Sequence, residues 1–333
     1  MDDLEPGWIQ QEFASLALGD ERRNRRLRQI VAALQGQPGA SLPHALADPA
    51  ALKAAYRFFD NPANQAESIL ASHLQATYQR IGRVDLVLAV QDTTYLDFSR
   101  FPSTQGLGPL TNDYQQGLLM HSTLAFTPER VPLGLLQQQV WARDPDSFAQ
   151  QPSPQQRPIE ARESHKWLMS LESVIAAREA DPHTHLVSVA DREADIFELF
   201  AKPRPAGVDL LVRATQDRRV SEAESRTIWA ALRHTPVAAR LEVQVPKTEK
   251  YPARVAQVEV HWKAVHLLPP RRLAAQQLEP VAVWAVWLIE PAPPEGVPAL
   301  EWMLLTTVPV TTTEQALEQV DWYACRWGIE VWH

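Results

Sequence analysis

Apolar residues recur every three to four positions through residues 1–80 and then, from Val84 onward, fall into continuous or alternating runs. The first pattern predicts helices and the second predicts strands. Asp20 stands where it caps a helix with Leu27, Ile30, Val31 and Leu34 on one face. A second helix is expected from about Asp48, with Leu52, Ala55, Tyr56 and Phe59 inward, and a third from Gln65 with Ile69, Leu70, His73 and Leu74. Residues 86–90 read as a central strand buried on both faces, ending in polar Gln91-Asp92-Thr93-Thr94. Residues 121–126 and 133–140 are expected as its antiparallel neighbours, and the Pro- and Gln-rich stretch 144–162 as an exposed, mobile loop. A helix over 164–178 precedes a second buried strand, 185–190, which again ends in charge at Asp191-Arg192-Glu193. A short helix (194–200) and a strand (209–213) follow. Alternating strands between about 219 and 300, separated by prolines, predict an all-β insertion. Residues 302–308 form a returning strand, and Thr311-x-x-Glu314 predicts a capping box opening the last helix. The fold class is α/β: an N-terminal helical domain (1–80), then a mixed-sheet domain (81–333) interrupted by a β-rich insertion.

Composition narrows the classes. Of 333 residues, 45% are hydrophobic and 22% charged, the balance of an ordinary globular chain. The single cysteine, Cys325, rules out an internal disulfide and a cysteine-cluster zinc site. No run of apolar residues is long enough to span a bilayer, and the acidic start, Met1-Asp2-Asp3-Leu4-Glu5, is unlike a signal peptide. A cytoplasmic protein without a membrane partner is expected. The net charge of -8 weighs against a nucleic-acid partner, yet five arginines (22, 23, 25, 26 and 28) concentrate positive charge in one short segment.

The candidate chemistry is carboxylate chemistry. Two strands that each end in an aspartate, and a distant helix with a glutamate, make an RNase H-like arrangement. Phosphodiester cleavage by two divalent ions needs hard oxygen ligands that converge from separate elements. Asp92 and Asp191 each follow a buried strand; either taken alone also reads as a turn residue. On the last helix Tyr323, Arg326 and Glu330 stand at i, i+3 and i+7, on one face. That pattern also suits a core helix with an Arg–Glu surface pair.

Several segments together resemble cut-and-paste DNA transposases of the IS4 family, close to its Tn5 branch. They are the signature Tyr323-x-x-Arg326-x-x-x-Glu330, Gln91-Asp92-Thr93-Thr94, and Ala190-Asp191-Arg192-Glu193-Ala194-Asp195-Ile196. Leu18-Gly19-Asp20-x-Arg22-Arg23, Ala55-Tyr56-Arg57-Phe58, Glu163-Ser164-x-Lys166-Trp167 and Trp302-x-Leu304-Leu305-Thr306 follow in family order, so the resemblance covers nearly the whole chain. It implies that Asp92, Asp191 and Glu330 are catalytic and hold two Mg²⁺ ions, with Mn²⁺ as a substitute. It implies cleavage of transposon ends and strand transfer into target DNA, with double-stranded inverted-repeat ends as partner and a bacterial, nucleoid-associated location. Arg22, Arg23 and Arg26 would bind the end DNA, Tyr323 and Arg326 its backbone phosphates, and Arg213 and Arg218 would extend the track. Trp302 would stack a flipped base, with Arg192 and Glu193 shaping that pocket.

The residues leave alternatives open. Trp302 also reads as a core tryptophan, the arginine cluster as a solvated face, and Arg192–Glu193 as a structural ion pair. Family members continue the last helix with basic residues and add a C-terminal region that pairs two subunits. The chain stops at His333, so that region is absent and homodimer formation is in doubt. A fragment of a longer protein and a truncated, non-catalytic end-binding protein both fit, as does, less well, an RNase H-like nuclease with another substrate.

Overall fold

A computed structural model describes residues 7–112, 114–145, 159–222 and 224–333. The chain divides into two compact units, one running to Arg83 together with Leu133–Leu135 and the other holding the rest. The core of the expected loop over 144–162 lies outside the described residues.

The first unit is helical: α1 (Gly7–Glu12), α2 (Glu21–Gly36), α3 (Leu42–Ala45), α4 (Pro49–Phe59) and α5 (Ala66–Ile81). Asp20 caps α2, its side chain accepting from the Arg22 amide, and Asp48 caps α4 through the amides of Ala50 and Ala51. These caps satisfy amides that a helix start leaves without intrahelical partners. Ile9, Phe13, Leu27, Ile30, Ala55 and Phe58 form the core, each large side chain contributing about 1.5–3 kcal/mol by leaving water. The inward face of α4 differs from expectation. Ala55 and Phe58 are buried, whereas Tyr56 and Phe59 are 48% and 56% exposed. The helix carries two adjacent apolar stripes, and only one of them can face α2.

The second unit is an α/β fold on a ten-stranded mixed sheet. Its strands are β1 (Leu86–Asp97), β2 (Gly108–Pro109), β3 (Gln116–Phe126), β4 (Pro132–Trp141), β5 (His185–Ala190), β6 (Val208–Arg213), β7 (Ala239–Val245), β8 (Arg254–Leu267), β9 (Val281–Ile289) and β10 (Glu301–Thr306). The order is β2-β3-β1-β5-β6-β10-β9-β8-β7, with β4 also on β3. β1, β5 and β6 run parallel, and the remaining ladders are antiparallel. Consecutive burial along β1 and β5 means both faces are covered, by α6 (His165–Ala180) and by α9 (Thr313–Cys325) among others. α7 (Phe197–Ala201) and α8 (Ile228–Leu232) are short connections. The expected β insertion does not form a sheet of its own. Its strands β7–β9 continue the main sheet, because β10 pairs with β6 on one edge and β9 on the other.

Two features of the last helix also differ from expectation. Its cap is Thr312, whose hydroxyl accepts from the Gln315 amide, while the Gln315 side chain accepts from the Thr311 amide. The reciprocal pattern survives one residue further along the chain, with Gln315 in place of Glu314. The helix then breaks at Arg326, and α10 (Trp327–Trp332) continues after it. Arg326 N bonds to Tyr323 O, and Ile329 N to Arg326 O, a tighter local winding than an α-helix. Gly328 lies against the Phe126 ring, and a Cβ there would stand 2.9 Å from a ring atom. Gly328→Ala is therefore expected to lower stability by about 1–3 kcal/mol in urea unfolding, by pushing α10 off β3. An unchanged midpoint would mean that α10 is not held by this contact.

Candidate functional site

In the second unit, β1 and β5 are adjacent and parallel, with Val90 paired to Val189. Asp92 and Asp191 lie two residues beyond that last pair, Asp92 still within β1 and Asp191 just past the end of β5, and the charge of Asp191 reaches Asp92. Asp191 is also the cap of a short 3₁₀ turn, Arg192–Ala194, its Oδ1 accepting from the Glu193 amide at 2.8 Å. α10 packs on β1 and brings up Glu330. Arg326 joins the group: its Nη1 is 3.5 Å from Asp92 Oδ1, and its Nη2 donates to Glu330 Oε1. His333 adds Nδ1 at 3.7 Å from Asp92 Oδ2, while its Nε2 lies 3.2 Å from Ser122 Oγ.

The electrostatics report the crowding. Burial pushes the Asp92 carboxyl up to about 6; Arg326 opposes the rise, and Asp191 and Glu330 add to it by repulsion. Asp191 is raised as well, chiefly by burial and further by Glu193, against the Glu193 amide, Arg326 and Lys166. Three carboxylates thus share a partly buried space with a deficit of positive charge. This donor set suits a hard divalent cation, which would hold the same oxygens and relieve the repulsion. Among the described residues, however, no three acidic or histidine side chains stand grouped ready to hold a metal ion. The Arg326 guanidinium lies between Asp92 and Glu330, so the oxygens converge on it.

Tyr323 is buried, sits edge-on to Trp302 with ring centroids 5.0 Å apart, and bonds Arg213 through its hydroxyl. Arg213 also donates to the Glu301 carbonyl at 3.0 Å. Trp302 lines an apolar groove of about 270 Å³ with Leu241, Leu288, Leu300 and Leu317. The structure brings Tyr323, Trp302 and Arg213 together and sets Arg326 close to Tyr323. It does not leave Arg218 on an exposed track. Arg218 is buried, with Nε 2.6 Å from Asp195 Oδ1. Its charge is spent on a carboxylate that also accepts from the Thr215 and Gln216 amides. Arg192 and Glu193 are both exposed, and Glu193 pairs not with Arg192 but with Lys166, at 3.1 Å.

Lys166 is the residue that sequence reasoning passed over. Its motif is visible in the chain, but the motif alone assigns it no role. It is buried, with Nζ 5.4 Å from the Trp167 ring centroid, and its charge reaches Asp191. Beside Trp167, the His121 ring packs at 4.5 Å, its Nδ1 2.8 Å from Thr93 Oγ1. Burial drives His121 down to about 3, which keeps it neutral. Cys325 is buried too, its thiol raised to about 11 by burial, and it touches none of the acids.

In the first unit, the N-terminus of α2 and the exposed side of α4 enclose a concave surface of about 560 Å³. Arg22, Arg23, Arg26 and Arg57 line it, with Asn61 and Asn64. Asp20 caps α2 and pairs with Arg22 at 2.8 Å, and the hydrogen bonds from Arg22 hold its carboxyl at about 2. Arg23 donates to the Ala63 carbonyl at 3.1 Å, which fixes its side chain along the wall. Four guanidinium groups line a common space at the start of α2, Arg22 being paired there with Asp20, and the others make the surface suited to phosphate oxygens. Arg57 lies in a segment that the sequence singles out, but its place beside the α2 arginines, like that of the two asparagines, comes only from the packing of α4 on α2.

Residues 5–64 match the family model for transposase DNA-binding. The N-terminal unit thus carries a transposase DNA-binding domain, which supports a transposase with DNA as its partner. The match includes every residue that lines the arginine concavity. None of the described helices is long and apolar enough to cross a membrane. For the transposase DNA-binding domain, Arg26→Ala and Arg57→Ala are each expected to weaken duplex binding. Each should also reduce the slope of log K against log salt by about 0.9, the signature of one lost phosphate contact. A slope unchanged in a titration from low to moderate salt would remove that arginine from the DNA surface.

Proposed function

We propose that this chain is a DNA transposase of the IS4 family, of the Tn5 type, that cuts transposon ends and transfers them by a metal-dependent, RNase H-like mechanism. The observation that carries the reading is that the charges of Asp191 and Glu330 both reach Asp92, with Arg326 bridging Asp92 and Glu330. They do so in a chain with a transposase DNA-binding domain. Asp92 and Asp191 would hold Mg²⁺ from the sheet and Glu330 from α10. When bound, the two ions supply an activated water and stabilise the leaving oxygen. The chain's own residues do the positioning. Asp191 is pinned by the Glu193 amide, and Asp92 is fixed within the β1–β3 ladder. Arg326 and Arg213 offer guanidinium forks to backbone phosphates flanking the cut, with Tyr323 packed behind them. Trp302, which lines its apolar groove, offers a ring for an unstacked base.

The test uses a duplex that carries the inverted repeats flanking the gene, incubated with the chain and Mg²⁺ or Mn²⁺. The reading predicts cation-dependent nicks at the repeat boundary that leave a 3′-hydroxyl. Binding to that duplex with no nick under either cation would favour a second reading, a DNA-binding regulator. That reading draws on the matched region lying wholly in the N-terminal unit.

A further inference from the structure

Arg326 occupies an unusual position for a residue whose expected partner is a phosphate. Its guanidinium spans two of the three acids, with Nη1 3.5 Å from Asp92 Oδ1 and Nη2 donating to Glu330 Oε1. Its side chain is only 16% exposed, so the pairing is shielded from solvent and is stronger than a surface ion pair. The backbone holds it in place. Arg326 lies at the junction of α9 and α10, where Ile329 N bonds to its carbonyl and Gly328 is seated against Phe126. The same oxygens would have to approach a divalent ion to about 2.1 Å, a distance that a guanidinium between them does not permit. A carboxylate and a phosphate present the same bidentate face to an arginine fork, so the two compete for it at little change in geometry.

From this arrangement we propose that Arg326 is a removable plug: without DNA it bridges Asp92 and Glu330 and blocks the divalent cation, and a DNA phosphate draws it off and opens the site. The inference rests on the metal-binding role proposed above for these acids. Cation and DNA then bind cooperatively, and by thermodynamic linkage each raises the affinity of the other by the same factor, in the range of about 5–150-fold. His333, 3.7 Å from Asp92 and anchored on Ser122, stays on the far oxygen of Asp92 and leaves the plugging to Arg326.

The experiment measures Mn²⁺ binding to the full chain by electron paramagnetic resonance, with and without a short duplex DNA, for the wild type, Arg326→Gln, Arg326→Lys and Asp92→Asn. Circular dichroism confirms that each variant is folded. The wild type is expected to bind Mn²⁺ about tenfold more tightly when the duplex is present. Arg326→Gln should bind about as tightly without DNA as the wild type does with it, and should gain little from the duplex. Arg326→Lys separates plugging from simple charge, because it keeps the charge and loses the fork. It should resemble Arg326→Gln rather than the wild type. Equal Mn²⁺ affinity of wild type and Arg326→Gln, or a duplex effect that persists in Arg326→Gln, overturns the plug while leaving the metal site standing, provided Asp92→Asn loses the ion. An absence of Mn²⁺ binding by every protein, with or without DNA, overturns the metal site itself and the plug with it.

Discussion

Asp92→Asn is expected to reduce cation-dependent nicking of end DNA by about a thousandfold while leaving duplex binding, measured without divalent cation, largely intact. A bound cation contributes several kcal/mol of transition-state stabilisation, and each 1.36 kcal/mol is a factor of ten in rate. Asn keeps the shape of the side chain but loses the charge that holds the ion. The DNA affinity, by contrast, draws on the transposase DNA-binding domain of the N-terminal unit. A loss of both together would show that the substitution damaged the fold rather than the chemistry.

The same substitution has a stability signature with a defined pH dependence. In the unfolded chain Asp92 ionises near its ordinary value of 3.8, and in the folded protein only at about 6. A carboxyl raised in this way contributes stability that is full below 3.8 and is lost as the pH rises through about 6. At pH 8 without divalent cations, Asp92→Asn should therefore be more stable than the wild type. The whole shift sets a ceiling of about 3 kcal/mol, and Asn gives up the Arg326 pairing, so about 1–2 kcal/mol is expected. The difference should shrink toward pH 4. Urea unfolding at pH 4 and pH 8 checks this, and a variant less stable at pH 8 would contradict the crowding of the acids.

Asp195→Ala is expected to be the most destabilising change in the second unit, at about 3–5 kcal/mol. Asp195 is fully enclosed and holds the Arg218 guanidinium at 2.6 Å, together with the amides of Thr215 and Gln216 at 2.8 and 3.0 Å. Its removal leaves a buried arginine without its counter-charge and two amides without an acceptor. For a domain of this size, that corresponds to a fall in Tm of about 10 °C. Arg218→Met leaves the Asp195 carboxylate still held by the Thr215 and Gln216 amides, and should cost less than Asp195→Ala. A fall of only a degree or two for Asp195→Ala would return Arg218 to the pool of residues available to DNA.

How legible each part was in the sequence follows from the range of the forces involved. Caps are local, so Asp20 and Asp48 are recognisable from the few residues that follow each of them. The buried strands were legible because both faces must be apolar, and the change to Asp191-Arg192 marked the end of β5; the change to Gln91-Asp92 did not end β1, which runs on to Asp97 because β3 pairs with it throughout. Partnership was not. The alternation of β7–β9 reveals strands, but nothing local says that β9 pairs with β10 and so extends the main sheet. Arg218 looked free because its partner, Asp195, comes from a different loop. The break at Arg326 was hidden in a segment with ordinary helical spacing, since the contact that shapes it, Gly328 on Phe126, spans the whole unit. On α4 two apolar stripes competed, and tertiary packing chose Phe58 over Phe59. Tyr56 and Phe59 are left exposed within the region that matches the transposase DNA-binding family.

The most direct measurement is anomalous diffraction from crystals of the chain grown with duplex DNA and soaked in Mn²⁺. Two peaks are expected, each about 2.1 Å from carboxylate oxygens of Asp92, Asp191 or Glu330, with Arg326 turned toward a phosphate. Peaks bound elsewhere, or these three carboxylates without an ion at saturating Mn²⁺, would contradict a shared cation site.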